Sequence, residues 1–96
     1  MTGSTATLAG RHALVTGGGR GIGAAIARRL LADGASVTLL GRDAGTLQAT
    51  VQALRAQAPA SAMVAHVTAD IADADSVARA FATATEHNGP VVMLFN

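Results

Sequence analysis

Residues 12–34 read HALVTGGGRGIGAAIARRLLADG, and this stretch carries the strongest structural signal in the chain. The apolar run 12–16 ends abruptly at Gly17, which predicts a short β-strand. Beyond the glycines, apolar residues recur at every fourth position, at Ile22, Ile26 and Leu30. This period predicts a helix over residues 21–33, and Gly34 stands where a left-handed C-terminal cap is usual. A strand, a glycine-rich turn and a helix therefore follow one another directly.

Two further helices and three further strands are predicted after this first unit. Residues 36–40 (SVTLL) are apolar and β-branched, as in a strand that is buried on both faces, and a third strand is expected at about residues 63–67. Asp43 and Asp73 are placed to cap the helices that follow them, and residues 91–95 (VVMLF) predict a fourth strand. Strands separated by full helices imply right-handed parallel crossovers. We therefore expect an α/β protein with a partial Rossmann fold: a four-stranded parallel sheet, in the order 3-2-1-4, with three helices on its two faces.

The composition excludes several classes of function. The 96 residues carry a net charge of +1 and are 50% hydrophobic, which fits one globular domain or part of one. The absence of Cys excludes thiol nucleophiles and sulfur-ligated zinc, and the absence of Lys and Tyr excludes Schiff-base chemistry and a tyrosine general acid. The arginines form no stripe, the histidines lie on separate elements, and no apolar run is long enough to cross a membrane. We expect a cytoplasmic protein with no nucleic-acid partner, no membrane partner and no metal site.

The turn TGGGRGIG, residues 16–23, has the composition of a loop that binds a diphosphate. Such a group lies against backbone N–H groups at a helix N-terminus, and a Cβ on the approach side would hold it away. The spacing is G-x-x-x-G-x-G; an alternative G-x-G-x-x-A spacing begins too far beyond the strand. The strand before the turn and the helix after it disfavour a plain glycine-rich linker. The candidate cofactor-binding residues of this segment are Thr16, Gly17, Gly19, Arg20, Gly21, Ile22 and Gly23.

This turn, after an LVT strand, closely resembles the cofactor-binding turn of the short-chain dehydrogenase/reductase family. The resemblance is strongest to the bacterial 3-oxoacyl-acyl-carrier-protein reductase type, and it covers about residues 8 to 96, with residues 1–8 as a polar extension. Asp70-Ile71 resembles the family's Asp-Val/Ile pair, and VVMLFN resembles the start of its L-V-N-N-A-G motif. The resemblance implies that Asp70 binds the adenine amino group, that Ile71 packs near the ring, and that the Asn96 backbone lies near the adenosine ribose.

The end of the second strand predicts NADP as the cofactor. A carboxylate at this position accepts hydrogen bonds from the ribose diol of NAD and repels a 2′-phosphate. Here Gly41 stands at that position and Arg42 follows it, while the resemblance places Arg20 on the same side. Two guanidinium groups suit a phosphate dianion. Asp43 is interpreted as the cap of the next helix, and NAD stays open as the alternative because this acid lies so close.

The resemblance implies hydride transfer between NADPH and a small carbonyl or alcohol substrate, in a protein that is a homo-oligomer when complete. The family uses a Ser, a Tyr and a Lys for this reaction, and the chain contains neither Tyr nor Lys. We therefore expect residues 1–96 to be the NADP-binding, N-terminal part of such an enzyme, without catalytic residues and inactive alone. A natural short protein that binds a nucleotide without catalysis, as a regulatory or interaction module, is the alternative. A methyltransferase is disfavoured, because Gly41-Arg42 lacks the acid that would hold a ribose diol.

Overall fold

A computed structural model of the chain describes residues 10–17, 21–57, 63–91 and 93–95. The elements within these residues are β1 (His12–Thr16), α1 (Gly21–Ala32), β2 (Ser36–Gly41), α2 (Ala44–Arg55), β3 (Val64–Thr68), α3 (Ala74–Asn88) and β4 (Met93–Phe95). The α/β class, with a parallel sheet and alternating strands and helices, is confirmed. The third strand lies one residue later than predicted. The expected strand at 91–95 covers 93–95, and the polar extension lies outside the described residues.

All the strand pairings of the sheet are parallel, and its strands lie in the order β3-β2-β1-β4. β1 pairs with β2 up to Thr16 opposite Leu40, and β2 pairs with β3 up to Gly41 opposite Thr68. The shorter β4 pairs with the middle of β1. Because the strands are parallel, the carboxyl ends of β1, β2 and β3 meet at one edge of the sheet, where each strand continues into a helix.

Helices cover both faces of the sheet and form two clusters of buried side chains. On one face, α1 and α2 pack on the sheet, and the predicted inward face of α2 is confirmed, with Leu47, Val51 and Leu54 all buried. On the other face, α3 packs through Ala80 and Ala84 against sheet residues that include Leu14 and Leu40. The partly buried side chains of Val67, Phe81 and Val91 pack against the same cluster.

The first residue of the apolar repeat in α1 does not reach the core. Ile22 is 80% exposed, whereas Ile26 is partly buried and Leu30 is buried. Ile22 lies in the first turn of the helix, directly after the glycine-rich turn at the carboxyl edge of the sheet. Leu30 lies two turns later, over the sheet. The predicted helical period is therefore correct, but the first turn of α1 lies outside the part of the helix that packs on the sheet.

The predicted ends of the helices are confirmed in their local chemistry. The Asp43 side chain accepts hydrogen bonds from the backbone N–H groups at the start of α2, and Asp73 does the same for α3. Gly34, after α1, has a φ of +95°, the left-handed conformation expected of a C-terminal cap. None of the helices in the described part of the chain has the length and hydropathy that crossing a membrane requires.

A buried histidine joins three parts of the fold. His12 Nδ1 lies 2.9 Å from the carbonyl oxygen of Gly89, and its Nε2 lies 2.7 Å from Thr38 Oγ1. Since a carbonyl oxygen can only accept, Nδ1 donates to Gly89, and Nε2 forms a hydrogen bond with the Thr38 hydroxyl. His12 therefore ties β1 to β2 and to the connection between α3 and β4, which is a structural role.

Candidate cofactor-binding site

A cavity of about 450 Å³ opens at the carboxyl edge of the sheet. Its walls come from the residue after β1, from the end of β2 with the first turn of α2, and from the connection between β3 and α3. Ligands of open parallel sheets bind at this edge, outside the carboxyl ends of the strands. The described residues that line it are Gly17, Gly41, Arg42, Asp43, Thr46, Leu47, Ala69, Asp70, Ile71 and Ala72.

The glycine-rich turn enters the site through backbone that only glycine adopts readily. Gly17 has a φ of +65° and Gly21 a φ of +63°. An ideal Cβ at either position would have no neighbour within 4 Å. Glycine is therefore required here by the positive φ and not by a lack of space. The Gly17 N–H donates to the carbonyl oxygen of Leu40 at 2.8 Å, which fixes the start of the turn against β2. The open space at Gly17, which lines the cavity, leaves room for a ligand beside this residue.

The end of β2 places Gly41 and then a guanidinium group at the cavity wall. Arg42 is exposed on the cavity wall. Asp43 Oδ1 accepts from the N–H groups of Gly45 at 2.9 Å and Thr46 at 3.2 Å, and its Oδ2 accepts from Thr46 Oγ1 at 3.0 Å. The interpretation of Asp43 as a helix cap is confirmed, because both of its oxygens bind the start of α2.

The connection after β3 is a tight turn that begins at Asp70. The Asp70 carbonyl oxygen accepts from the Asp73 N–H at 2.9 Å, and Asp70 Oδ1 accepts from the Ala72 N–H at 3.0 Å. Ile71 lies at the corner of this turn and is 64% exposed, next to the cavity. The turn therefore presents a carboxylate and an apolar side chain to the same space.

The structure brings only some of the predicted cofactor-binding residues together. Those that line the cavity are Gly17, Arg42, Asp70 and Ile71. Those that are described but do not line it are Thr16, Gly21, Ile22 and Gly23. Gly19, Arg20 and Asn96 lie outside the described residues. Three segments far apart in sequence thus contribute to one cavity, as expected for the carboxyl edge of a parallel sheet.

Several wall residues are not among the sequence-based candidates. They are Gly41, Asp43, Thr46, Leu47, Ala69 and Ala72. Leu47 is predicted only as a core residue, yet it also contributes to the cavity wall because it lies in the first turn of α2. Ala69 and Ala72 have no chemically distinctive side chain, and their position beside Asp70 is the only sequence signal for them. Part of the wall is therefore apolar and close to an exposed arginine, which suits a flat base joined to an anionic group.

The comparisons with known proteins agree with this architecture. Residues 11–96 match the family model described as short chain dehydrogenase. The chain belongs to the short-chain dehydrogenase family. It is 42% identical over 84 residues to the 3-oxoacyl-[acyl-carrier-protein] reductase MabA of Mycobacterium tuberculosis, which covers 88% of this chain and 28% of that protein.

Solved structures share this fold over most of the chain. A blue fluorescent protein from a metagenomic library, in complex with NADPH, matches with a TM-score of 0.80 and 42% identity over 91% of this chain and 35% of that one. A variant of actinorhodin polyketide ketoreductase with NADPH matches with a TM-score of 0.80 and 34% identity, over 88% of this chain and 31% of that one. The chain thus spans about a third, or less, of the length of these relatives.

The residues present fit the adenosine half of a nicotinamide cofactor. The cavity combines apolar surface from Leu47 and Ile71 with one exposed arginine and one carboxylate at the end of β3. These are complements of a flat base, an anionic phosphate and an exocyclic amino group, respectively. Among the described residues, no group of three or more His, Asp or Glu side chains is arranged to hold a metal ion.

Proposed function

We propose that residues 1–96 form the NADP(H)-binding part of a short-chain oxidoreductase that transfers hydride between NADPH and a carbonyl or alcohol substrate. The observation that carries this proposal is the cavity at the carboxyl edge, where Gly41 and Arg42 replace an acidic ribose ligand. Family membership supports an oxidoreductase, and the NADPH complexes of related structures support the nicotinamide cofactor. The name of the related MabA, a 3-oxoacyl-[acyl-carrier-protein] reductase, supports a carbonyl group as the reacting part of the substrate.

In this proposal, three segments each bind a different part of the cofactor. They are the turn after β1, the end of β2 and the end of β3. The backbone of residues 16–23, including Thr16, Gly19, Gly21, Ile22 and Gly23, binds the diphosphate at the start of α1. Arg42 and Arg20 bind the 2′-phosphate, because guanidinium groups form charge-assisted hydrogen bonds to phosphate oxygens.

The adenine base occupies the part of the cavity next to the turn after β3. Asp70 accepts a hydrogen bond from the adenine amino group, Ile71 packs against the ring, and the backbone of Asn96 lies near the ribose. NADPH bound in this way supplies hydride to the carbonyl carbon. The protein groups described here bind and orient the cofactor and take no part in proton transfer.

The proton for the substrate oxygen comes from groups other than tyrosine or lysine side chains of residues 1–96, because these residues include none. We propose that this chain contributes cofactor binding without the general acid. The same absence favours a second candidate function, a nucleotide-binding module without catalysis. Carbonyl reduction by the protein as its host makes it supports the first candidate, and tight NADPH binding without any reduction supports the second.

The choice of cofactor is tested by exchanging charge at the end of β2. We expect Arg42→Asp to weaken NADPH binding by about tenfold to a hundredfold, since a hydrogen bond to a charged group contributes roughly 1.5–3 kcal/mol. NADH binding should change far less, because NADH has no 2′-phosphate. Dissociation constants for both cofactors, measured by fluorescence titration of the chain, provide the check.

Arg79→Asp is the matched control, because it makes the same change of charge at an exposed position on α3. It should leave both affinities nearly unchanged. Equal losses of NADPH and NADH affinity in Arg42→Asp would contradict the assignment of Arg42 to the 2′-phosphate.

A further inference from the structure

A serine behind the cavity holds the residue proposed to bind adenine. Ser76 is the third residue of α3, and it does not line the cavity. Its Oγ accepts a hydrogen bond from the backbone N–H of Asp70 at 3.0 Å. The two residues are six positions apart, and the bond crosses the turn that connects β3 to α3. Ser76 thus contacts a residue of the cavity wall through this hydrogen bond.

The sheet itself provides no acceptor for the Asp70 N–H. The last bond between β3 and its neighbour is donated by the Ala69 N–H to the Gly41 carbonyl oxygen, at 2.8 Å. Asp70 lies two residues beyond the end of β3, and among the described residues no strand accepts its N–H. Ser76 Oγ accepts it instead, so the hydroxyl determines where the backbone of Asp70 lies after β3 ends.

The corresponding hydroxyl of α2 is used differently. Helices α2 and α3 both begin with an aspartate cap and carry a hydroxyl residue three positions later. In α2, Thr46 Oγ1 donates back to its own cap, Asp43, at 3.0 Å. In α3, the cap Asp73 binds the N–H groups of Asp75 and Ser76. The Ser76 hydroxyl oxygen serves Asp70, so helix capping does not explain its position.

Three hydrogen bonds fix Asp70, and they engage one oxygen of its carboxylate. Its N–H binds Ser76, its carbonyl oxygen binds the Asp73 N–H, and its Oδ1 binds the Ala72 N–H. No described residue donates a hydrogen bond to Oδ2. Because the backbone N–H, the backbone carbonyl oxygen and Oδ1 of Asp70 all have partners, its Oδ2 can adopt few orientations.

We propose that Ser76 is a positioning residue that holds Asp70 for the 6-amino group of adenine and so gives the site its selectivity for this base. The inference rests on the proposed function, through the role of Asp70. The amino group of adenine is a donor, which a carboxylate oxygen accepts. Hypoxanthine carries an oxygen in place of this amino group. Since this oxygen and the carboxylate are both acceptors, they cannot form a hydrogen bond with each other. Selectivity between the two bases therefore reports on the placement of Asp70.

The experiment compares the affinities of the full chain for NADPH and for its deamino analogue, nicotinamide hypoxanthine dinucleotide phosphate. We expect the unmodified chain to prefer NADPH by about tenfold, the scale of one hydrogen bond to a charged group. Ser76→Ala should reduce this preference to about threefold or less, while Ser76→Thr, which keeps the hydroxyl, should retain it. Thr83→Ala is the control: it removes a hydroxyl that donates to the Arg79 carbonyl oxygen within α3.

Asp70→Asn separates this inference from the proposed function. If Asp70→Asn abolishes the preference but Ser76→Ala keeps it in full, Asp70 reads the base without Ser76, and the inference is wrong. If the unmodified chain shows no preference at all, the role of Asp70 fails, and the inference fails with it. If the circular dichroism of Ser76→Ala shows a loss of helix, Ser76→Cys is used in its place. The cysteine sulfur is only a weak acceptor, so the same reduced preference is expected.

Discussion

At the scale of single residues, the proposed preference for NADPH depends on the missing side chain of Gly41. An ideal Cβ at this position would lie 3.4 Å from Leu47 Cδ2, an ordinary van der Waals contact, so the backbone accepts a larger residue. We expect Gly41→Asp to lower NADPH affinity by about tenfold and to raise NADH affinity several-fold, because its carboxylate repels the 2′-phosphate and binds the ribose diol. Gly41→Asn, of equal size without charge, should change the ratio much less. If both variants changed the ratio of the two affinities equally, the change would be due to the size of the new side chain and not to its charge.

Gly17 makes a different demand, because its requirement is conformational. Its φ of +65° strains any residue with a Cβ, so Gly17→Ala should destabilise the fold by roughly 1 kcal/mol or more. Gly45→Ala is the matched control within the first turn of α2, where a Cβ would lie 3.4 Å from Asp43 Oδ1. Alanine favours helix, so this variant should be neutral or slightly stabilising. Urea denaturation of the two variants measures the difference, and equal stabilities would show that Gly17 carries no strain.

At the scale of elements, the start of α3 depends on Asp73. Its side chain accepts the N–H groups of Asp75 at 3.0 Å and Ser76 at 3.4 Å. We expect Asp73→Ala to cost about 1 kcal/mol of unfolding free energy, the usual contribution of an N-terminal cap. Asp73→Ser keeps a capping oxygen and should retain most of this stability in chemical denaturation. A loss in Asp73→Ser as large as that in Asp73→Ala would contradict the capping role.

The elements also show why some features are predictable from sequence and others are not. The α2 face and the caps at Asp43 and Asp73 follow from spacing along one segment, so local patterns predict them. The hydrogen bond from Asp70 to Ser76 depends on how the chain turns after the sheet ends, and the same cap pattern in α2 leads to a different bond. Ile22 has the helical period but lies beyond the covered part of the sheet. Periodicity predicts which residues share a face, and only the packing shows which of them that face buries.

At the scale of the whole molecule, the cavity exists because parallel strands bring three distant turns to one edge. Alternating strands and helices are visible in the sequence, and they imply such an edge before any contact is known. The residues that line the cavity are harder to predict from the sequence. Leu47 has the pattern of a core residue, and Ala69 has no distinctive chemistry. Of the residues that line the cavity, Gly17, Arg42, Asp70 and Ile71 can be selected from sequence patterns, whereas Leu47 and the two alanines are identified by the structure.

At the same scale, His12 links distant parts of the described molecule, since its partners Thr38 and Gly89 are 26 and 77 positions away in sequence. We expect His12→Ala to lower the free energy of unfolding by at least about 2 kcal/mol, because it removes a buried side chain and a partner from two polar groups. His87→Ala, at an exposed position of α3, should change stability by less than about 0.5 kcal/mol. Urea denaturation of both variants at neutral pH measures these changes. Similar small losses in both would mean that the sheet and α3 remain joined without His12, since apolar packing by Ala80 and Ala84 would then be sufficient.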